Sequence, residues 1–119
     1  MTREPNFSEF TAARVGAPAT KEAALLCELA AFQLMHGRVE EAQHMARAAL
    51  WLAPEHGSAL RIMAHAHAKA GRPLDAAKAM IAAGRARGMR LSLRDWRAIG
   101  ASMLAHGHRE LGLKYLFKR

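Results

Sequence analysis

Seven histidines and a single cysteine are the residues of this sequence best suited to metal or nucleophilic chemistry. His65 and His67 are two residues apart, so on a helix their side chains point about 200° apart and cannot share an ion. His106 and His108 flank Gly107, and no carboxylate or cysteine lies nearby at a spacing that would complete a site. We therefore predict no metal site.

The sequence also shows no set of residues that is typical of a catalytic site. Cys27 lies in an apolar stretch, which is typical of a packing or groove residue and not of an activated nucleophile. The sequence has no glycine-rich phosphate loop and no paired-carboxylate motif. We predict a protein that is not an enzyme and needs no cofactor, with His36 and His106 capping the carbonyls of helix ends.

The net charge of +8 is unevenly distributed along the chain. Residues 1–56 hold five Lys/Arg and seven Asp/Glu, whereas residues 57–119 hold 13 Lys/Arg and three Asp/Glu. A basic half of this kind attracts an acidic protein partner or a nucleic acid, and a merely solvated basic face is the alternative.

An internal repeat organises the chain and must position these residues. Gly37 and Gly71 are 34 residues apart, as are Ala42 and Ala76, and Gly107 follows Gly71 by 36 residues. The two extra residues fall near positions 91 and 92. A repeat of this length indicates stacked units that bury their apolar faces against each other.

This pattern resembles the tetratricopeptide repeat (TPR) family, with repeats at residues 23–56, 57–90 and 93–119. The matching positions are Leu26, Leu29, Ala30, Ala42, Ala46 and Pro54, then Leu60, Met63, Ala64, Ala76 and Met80, then Trp96, Ile99, Gly100, Met103, Gly112 and Leu116. Gln33, His67 and Gly88 depart from the family pattern. Recurrent small residues let helices approach closely, and glycine suits the left-handed residue that ends a helix.

The resemblance implies an all-α solenoid of about three repeats, which forms a right-handed superhelix with a concave groove. We predict a TPR domain over residues 21–119. Its six helices are predicted at about 21–36, 39–52, 57–70, 73–87, 93–106 and 109–118. Residues 1–20 are predicted to be a flexible arm, in which Phe7 and Phe10 are candidate anchors.

In the TPR family the first helix of each repeat lines the groove. Carried over by position, the partner-binding residues are Cys27, Ala31, Leu34, Met35, Arg61, His65, Lys69, Arg94, Arg97 and Ala101. The groove is expected to be apolar at one end and basic at the other. It suits a peptide with an apolar anchor and acidic residues, because arginine grips carboxylates in bidentate fashion.

Size and architecture also resemble the small TPR chaperones of bacterial type III secretion systems, which hold an export partner in the cytoplasm. The sequence shows no signal peptide or membrane span, so we predict a cytoplasmic protein. Either a heterodimer or a homodimer is compatible with the sequence. Whether the apolar C-terminal helix is exposed stays open. A basic helical-repeat nucleic-acid binder is the alternative function, although only seven aromatic residues are available for base stacking.

Overall fold

The computed structural model describes residues 17–118, with side chains from Thr20 onward, and this part of the chain is entirely α-helical. The six helices are α1 Ala17–Met35, α2 Val39–Leu52, α3 Gly57–Lys69, α4 Pro73–Arg85, α5 Leu93–Ala105 and α6 Arg109–Leu116. For the described residues, the prediction of an all-α fold with six helices is confirmed. None of the described helices is long and apolar enough to cross a membrane.

Helix α1 begins four residues earlier than predicted, so the last part of the proposed arm is helical. Pro18 is the second residue of α1, where the missing N–H has no intrahelical role, so proline does not prevent the helix from starting. Residues 1–16, including Phe7 and Phe10, lie outside the described part of the chain.

Left-handed glycines end the first helix of each pair. Gly37, Gly71 and Gly107 have φ angles of 75°, 80° and 86°, as the repeat predicts. Pro73 is the first residue of α4, and Pro54 follows the end of α2, also as predicted. Each pair therefore folds back on itself as a helical hairpin.

The three hairpins stack side by side. Helix α3 contacts α1 and α5, and the second helix of each hairpin contacts the first helix of the next. Among the described helices, the even-numbered ones do not contact each other. The Ser102 hydroxyl donates to the Ala68 carbonyl at 3.0 Å, and Arg61 Nε donates to Asp95 at 2.8 Å. Both bonds join residues 34 apart, so α3 and α5 run parallel.

Small side chains fill most of the core. The repeated small residues predicted at helix contacts are all buried, namely Ala30, Ala42, Ala64, Ala76, Gly100 and Gly112. The largest fully buried side chains are Met80, Ile99, Met103 and Asp95. The core is therefore a thin layer in which helix backbones approach closely.

Gly100→Ala tests this close approach, because a Cβ atom at Gly100 would lie 2.7 Å from the Gly112 carbonyl oxygen of α6. Alanine favours the helical state, but this contact requires backbone movement. We expect the free energy of unfolding in urea to fall by about 1–3 kcal/mol.

Gly84→Ala is the matched control. Its Cβ atom would meet only the flexible Leu91 side chain, at 3.1 Å. Stability should be unchanged or higher, because alanine is the better helix former. Equal losses from both substitutions would show that the α5–α6 contact is not the constraint.

Candidate partner-binding surface

The candidate surface spans α3 and α5, and we call it the basic face. Its residues are Arg61, His65, Lys69, Arg94, Arg97 and Ala101. On each helix their spacing of three or four residues places them on one side. Because α3 and α5 are parallel neighbours, the two rows lie beside each other.

A buried carboxylate joins the two rows. The Asp95 side chain is 1% exposed, and its Oδ1 atom accepts hydrogen bonds from Arg61 Nε at 2.8 Å and from His65 Nε2 at 2.7 Å. Its Oδ2 atom accepts from the Ser92 backbone N–H at 2.8 Å and from the Ser92 hydroxyl at 3.2 Å. Asp95 thus ties the start of α5 to α3.

The ionised form of Asp95 is strongly favoured. Burial raises the pKa of this carboxyl, but the hydrogen bonds from the Ser92 backbone, His65 and Arg61, together with the Arg61 charge, lower the pKa to about 2. Asp95 is therefore negative at neutral pH and offsets the Arg61 charge. Arg61 and His65, both predicted as partner contacts, are already engaged within the fold.

Sequence reasoning did not identify Asp95 as part of this surface. The signal was present, because Ser92 and Asp95 have the spacing of a helix capping box. The structure contains that box, with the Asp95 backbone N–H donating to the Ser92 hydroxyl at 3.3 Å. The pairing with Arg61 and His65 depends on how the hairpins stack.

Three cations of the basic face remain unpaired. Lys69, Arg94 and Arg97 are exposed, and none of them forms an ion pair with another described residue. They lie on the same two helices as the satisfied Arg61–Asp95 pair. A carboxylate from outside the chain would therefore meet free positive charge here.

The predicted apolar end of the groove lies on α1 and needs one correction. Met35 is 81% exposed, and Ala31 and Leu34 are half-buried. Cys27 is only 5% exposed and packs with Ala59 in the core, so its predicted position in an open groove is wrong. The apolar end of the groove therefore has fewer accessible side chains than predicted.

The environment of Cys27 is that of a core residue. Burial raises the pKa of its thiol to about 11. Its Sγ atom lies 3.6 Å from His56 Nδ1, and the Ala59 N–H donates to that same nitrogen at 3.3 Å. His56 thus caps the start of α3 and covers the thiol.

Other histidines have structural roles. His36 Nδ1 lies 2.9 Å from the Phe32 carbonyl and His106 Nδ1 lies 2.8 Å from the Ser102 carbonyl, which confirms the predicted caps. Burial lowers the pKa of His67, as does the neighbouring Arg72 charge. In residues 17–118, His, Cys, Asp and Glu side chains form no group of three that could hold a metal ion.

One cleft is formed mainly by segments that connect the helices. It has a volume of about 680 Å³ and is lined mainly by residues 53–58 and 87–89. It contains none of the predicted partner-binding residues. Its polar lining includes Glu55, His56 and Arg87, and His56 is already used as a helix cap.

Comparisons with known proteins do not identify a family. The chain matches no protein-family model and no curated protein. The TPR resemblance consequently stays a prediction from the repeat, whereas helical-hairpin packing is observed directly.

Asp95→Asn tests the buried tie between α3 and α5. It removes the negative charge that Arg61 and His65 share, and we expect the free energy of unfolding at pH 7 to fall by about 2–3 kcal/mol. Urea titration monitored by circular dichroism measures this loss. Glu55→Gln, at an exposed acid, should change stability by less than about 0.5 kcal/mol.

The same pair of proteins should differ in pH dependence. The folded-state pKa of Asp95 is below its ordinary value of 3.8, so its contribution is present above about pH 4 and is lost as pH falls towards 2. The stability difference between the native protein and Asp95→Asn should shrink over that interval. A difference that stays constant from pH 7 to pH 2 would contradict the proposed ionisation.

Thiol labelling tests the burial of Cys27. Because the thiol is buried and its pKa is raised to about 11, an aromatic disulfide reagent should label the folded protein at least about 10-fold more slowly than the urea-unfolded protein. Equal rates, measured by absorbance at pH 8, would place Cys27 on an open surface.

Proposed function

We propose that this protein is a TPR-like adaptor that binds a segment of another protein along its odd-numbered helices. The observation that carries the proposal is the set of unpaired cations on the basic face, Lys69, Arg94 and Arg97. The acid on the same face, Asp95, is buried and satisfied by the chain itself. No acid among the described residues neutralises these cations, so a carboxylate of a bound segment can pair with them.

The arrangement of the helices supports a concave binding face. Helix α3 contacts both α1 and α5, whereas the described even-numbered helices do not contact one another. Odd-numbered helices therefore approach one another more closely than even-numbered helices do. This difference bends the stack of hairpins so that the side with the odd-numbered helices is concave. A concave surface excludes water from a bound segment better than a flat one does.

The chemistry of the face suits a partner segment that carries carboxylates and an apolar side chain. Arg94 and Arg97 present planar guanidinium groups that suit carboxylates of Asp or Glu side chains. Leu34 and Met35 on α1 offer an apolar contact, and methionine adapts to irregular shapes. A segment with an acidic part and one large apolar anchor fits both ends.

A narrower proposal is a chaperone of the kind that serves type III secretion. It rests on the three stacked hairpins, which resemble those chaperones in architecture. In this role the protein holds a partner in the cytoplasm without catalysing a reaction. The resemblance is an analogy of fold, so the partner has to be identified by binding.

Nucleic-acid binding is the second candidate, and the net charge of +8 favours it. Stacking of nucleic-acid bases on this protein has little support, because the Trp96 and Tyr115 rings already stack on each other. Their ring centroids are 5.4 Å apart. The Lys118 ammonium group lies 4.6 Å from the Trp96 ring centroid. Elution from a polyanion resin at low salt would exclude this candidate.

Selection from a random peptide library on the immobilised protein tests the adaptor proposal. We expect the selected peptides to combine Asp or Glu with one large apolar residue. Arg94→Glu with Arg97→Glu should weaken their binding by at least about 10-fold, because two attractive contacts become repulsive. Fluorescence anisotropy with a labelled selected peptide measures the change.

Arg85→Glu with Arg87→Glu is the control, because these exposed residues lie at the end of α4 and in the segment that follows it. It makes the same charge change away from the basic face and should leave peptide affinity within about 2-fold. Equal losses from both variants would show that only net charge matters, and the adaptor site would then be misplaced.

A further inference from the structure

The first hairpin exposes a face that the other two hairpins bury. Positions 59, 63 and 66 of α3 and positions 95, 99 and 102 of α5 are buried. The equivalent residues of α1, 34 positions before those of α3, are Leu25, Leu29 and Phe32. Their side chains are 57%, 44% and 57% exposed. We call these three residues the head face.

The third hairpin exposes the complementary face. Ala68 and Ala77 of the middle hairpin pack in the core cluster that contains Ile99 of α5. The residues 36 positions later are Leu104 and Leu113, which are 38% and 40% exposed. Arg97 occupies the position equivalent to Arg61, which pairs with α5. We call Leu104, Leu113 and Arg97 the tail face.

The two faces belong to hairpins of opposite charge. Residues 17–56 contain three Lys/Arg and five Asp/Glu, whereas residues 93–118 contain five Lys/Arg and two Asp/Glu. Glu22 and Glu28 lie three residues on either side of Leu25, so they flank the head face. Arg97 on the tail face forms no ion pair with a described residue. Asp95, the acid near the start of the same helix, is bound to Arg61 instead.

We propose that the head face of one molecule docks on the tail face of a second copy, so that the hairpin stack continues from one molecule into the next. The junction repeats the packing that the chain already uses twice between its own hairpins. In that packing Arg97 lies beside the partner's Leu25, with Glu22 and Glu28 one helical turn away. Such a head-to-tail contact leaves a free head and a free tail, so it extends with concentration.

A two-fold contact between two head faces is the main competing arrangement. It would bring the Glu22 and Glu28 carboxylates of both copies to the same interface, where like charges repel. It would also leave Leu104 and Leu113 exposed in the dimer. The head-to-tail contact covers both apolar faces and pairs opposite charges.

Two complementary variants test the proposal by sedimentation equilibrium. Leu25→Glu with Leu29→Glu disrupts the head face and leaves the tail face intact. Arg97→Glu with Leu113→Glu disrupts the tail face and leaves the head face intact. The native protein of 13.0 kDa should form oligomers whose mean mass rises with concentration. Each variant alone should be monomeric, and an equimolar mixture should form one heterodimer through the remaining native junction.

Trp51→Glu is the matched control, since Trp51 is 88% exposed on α2 and belongs to neither face. It should associate as the native protein does, and all variants should keep the native circular dichroism spectrum. A native protein that stays monomeric up to about 1 mM overturns the proposal. A tail variant that dimerises alone, or a mixture that forms no complex, overturns it as well.

Discussion

Close approach of helix backbones is the constraint on which the rest of this structure depends. Ala30, Ala64 and Gly100 recur at one position of the first helices, and each of them is buried. With such small side chains the hairpins bury little volume each, so stability comes from repeating one contact between neighbours. Leu25, Leu29 and Phe32 of α1 lie on its outer side and are exposed.

The two junctions between hairpins use the same positions with different chemistry. Between the first and second hairpins, Cys27 packs against Ala59 in an apolar contact. Between the second and third, the equivalent residues are Arg61 and Asp95, which form an ion pair. The buried carboxylate is stable because four hydrogen-bond donors surround it, and these bonds offset the solvation that the charge loses on burial.

This difference shapes the surface that is available to partners. The pairing of Arg61 with Asp95 removes one cation from the basic face, and Lys69, Arg94 and Arg97 stay free. The side of the stack and its two ends then offer different kinds of contact, and Arg97 belongs both to the basic face and to the tail face. The side presents positive charge along α3 and α5, and the ends present apolar faces that match the junctions inside the molecule.

The sequence by itself determined the helices, their turns and the 34-residue register, because these depend on local conformation and on recurring residue size. Gly37 and Pro73 act through their own backbone geometry, so their roles were predictable. Only the tertiary structure decided that Cys27 is buried and that Asp95 joins two helices. Which side of a helix is covered depends on the neighbouring hairpin, and that information lies some 34 residues away in the chain.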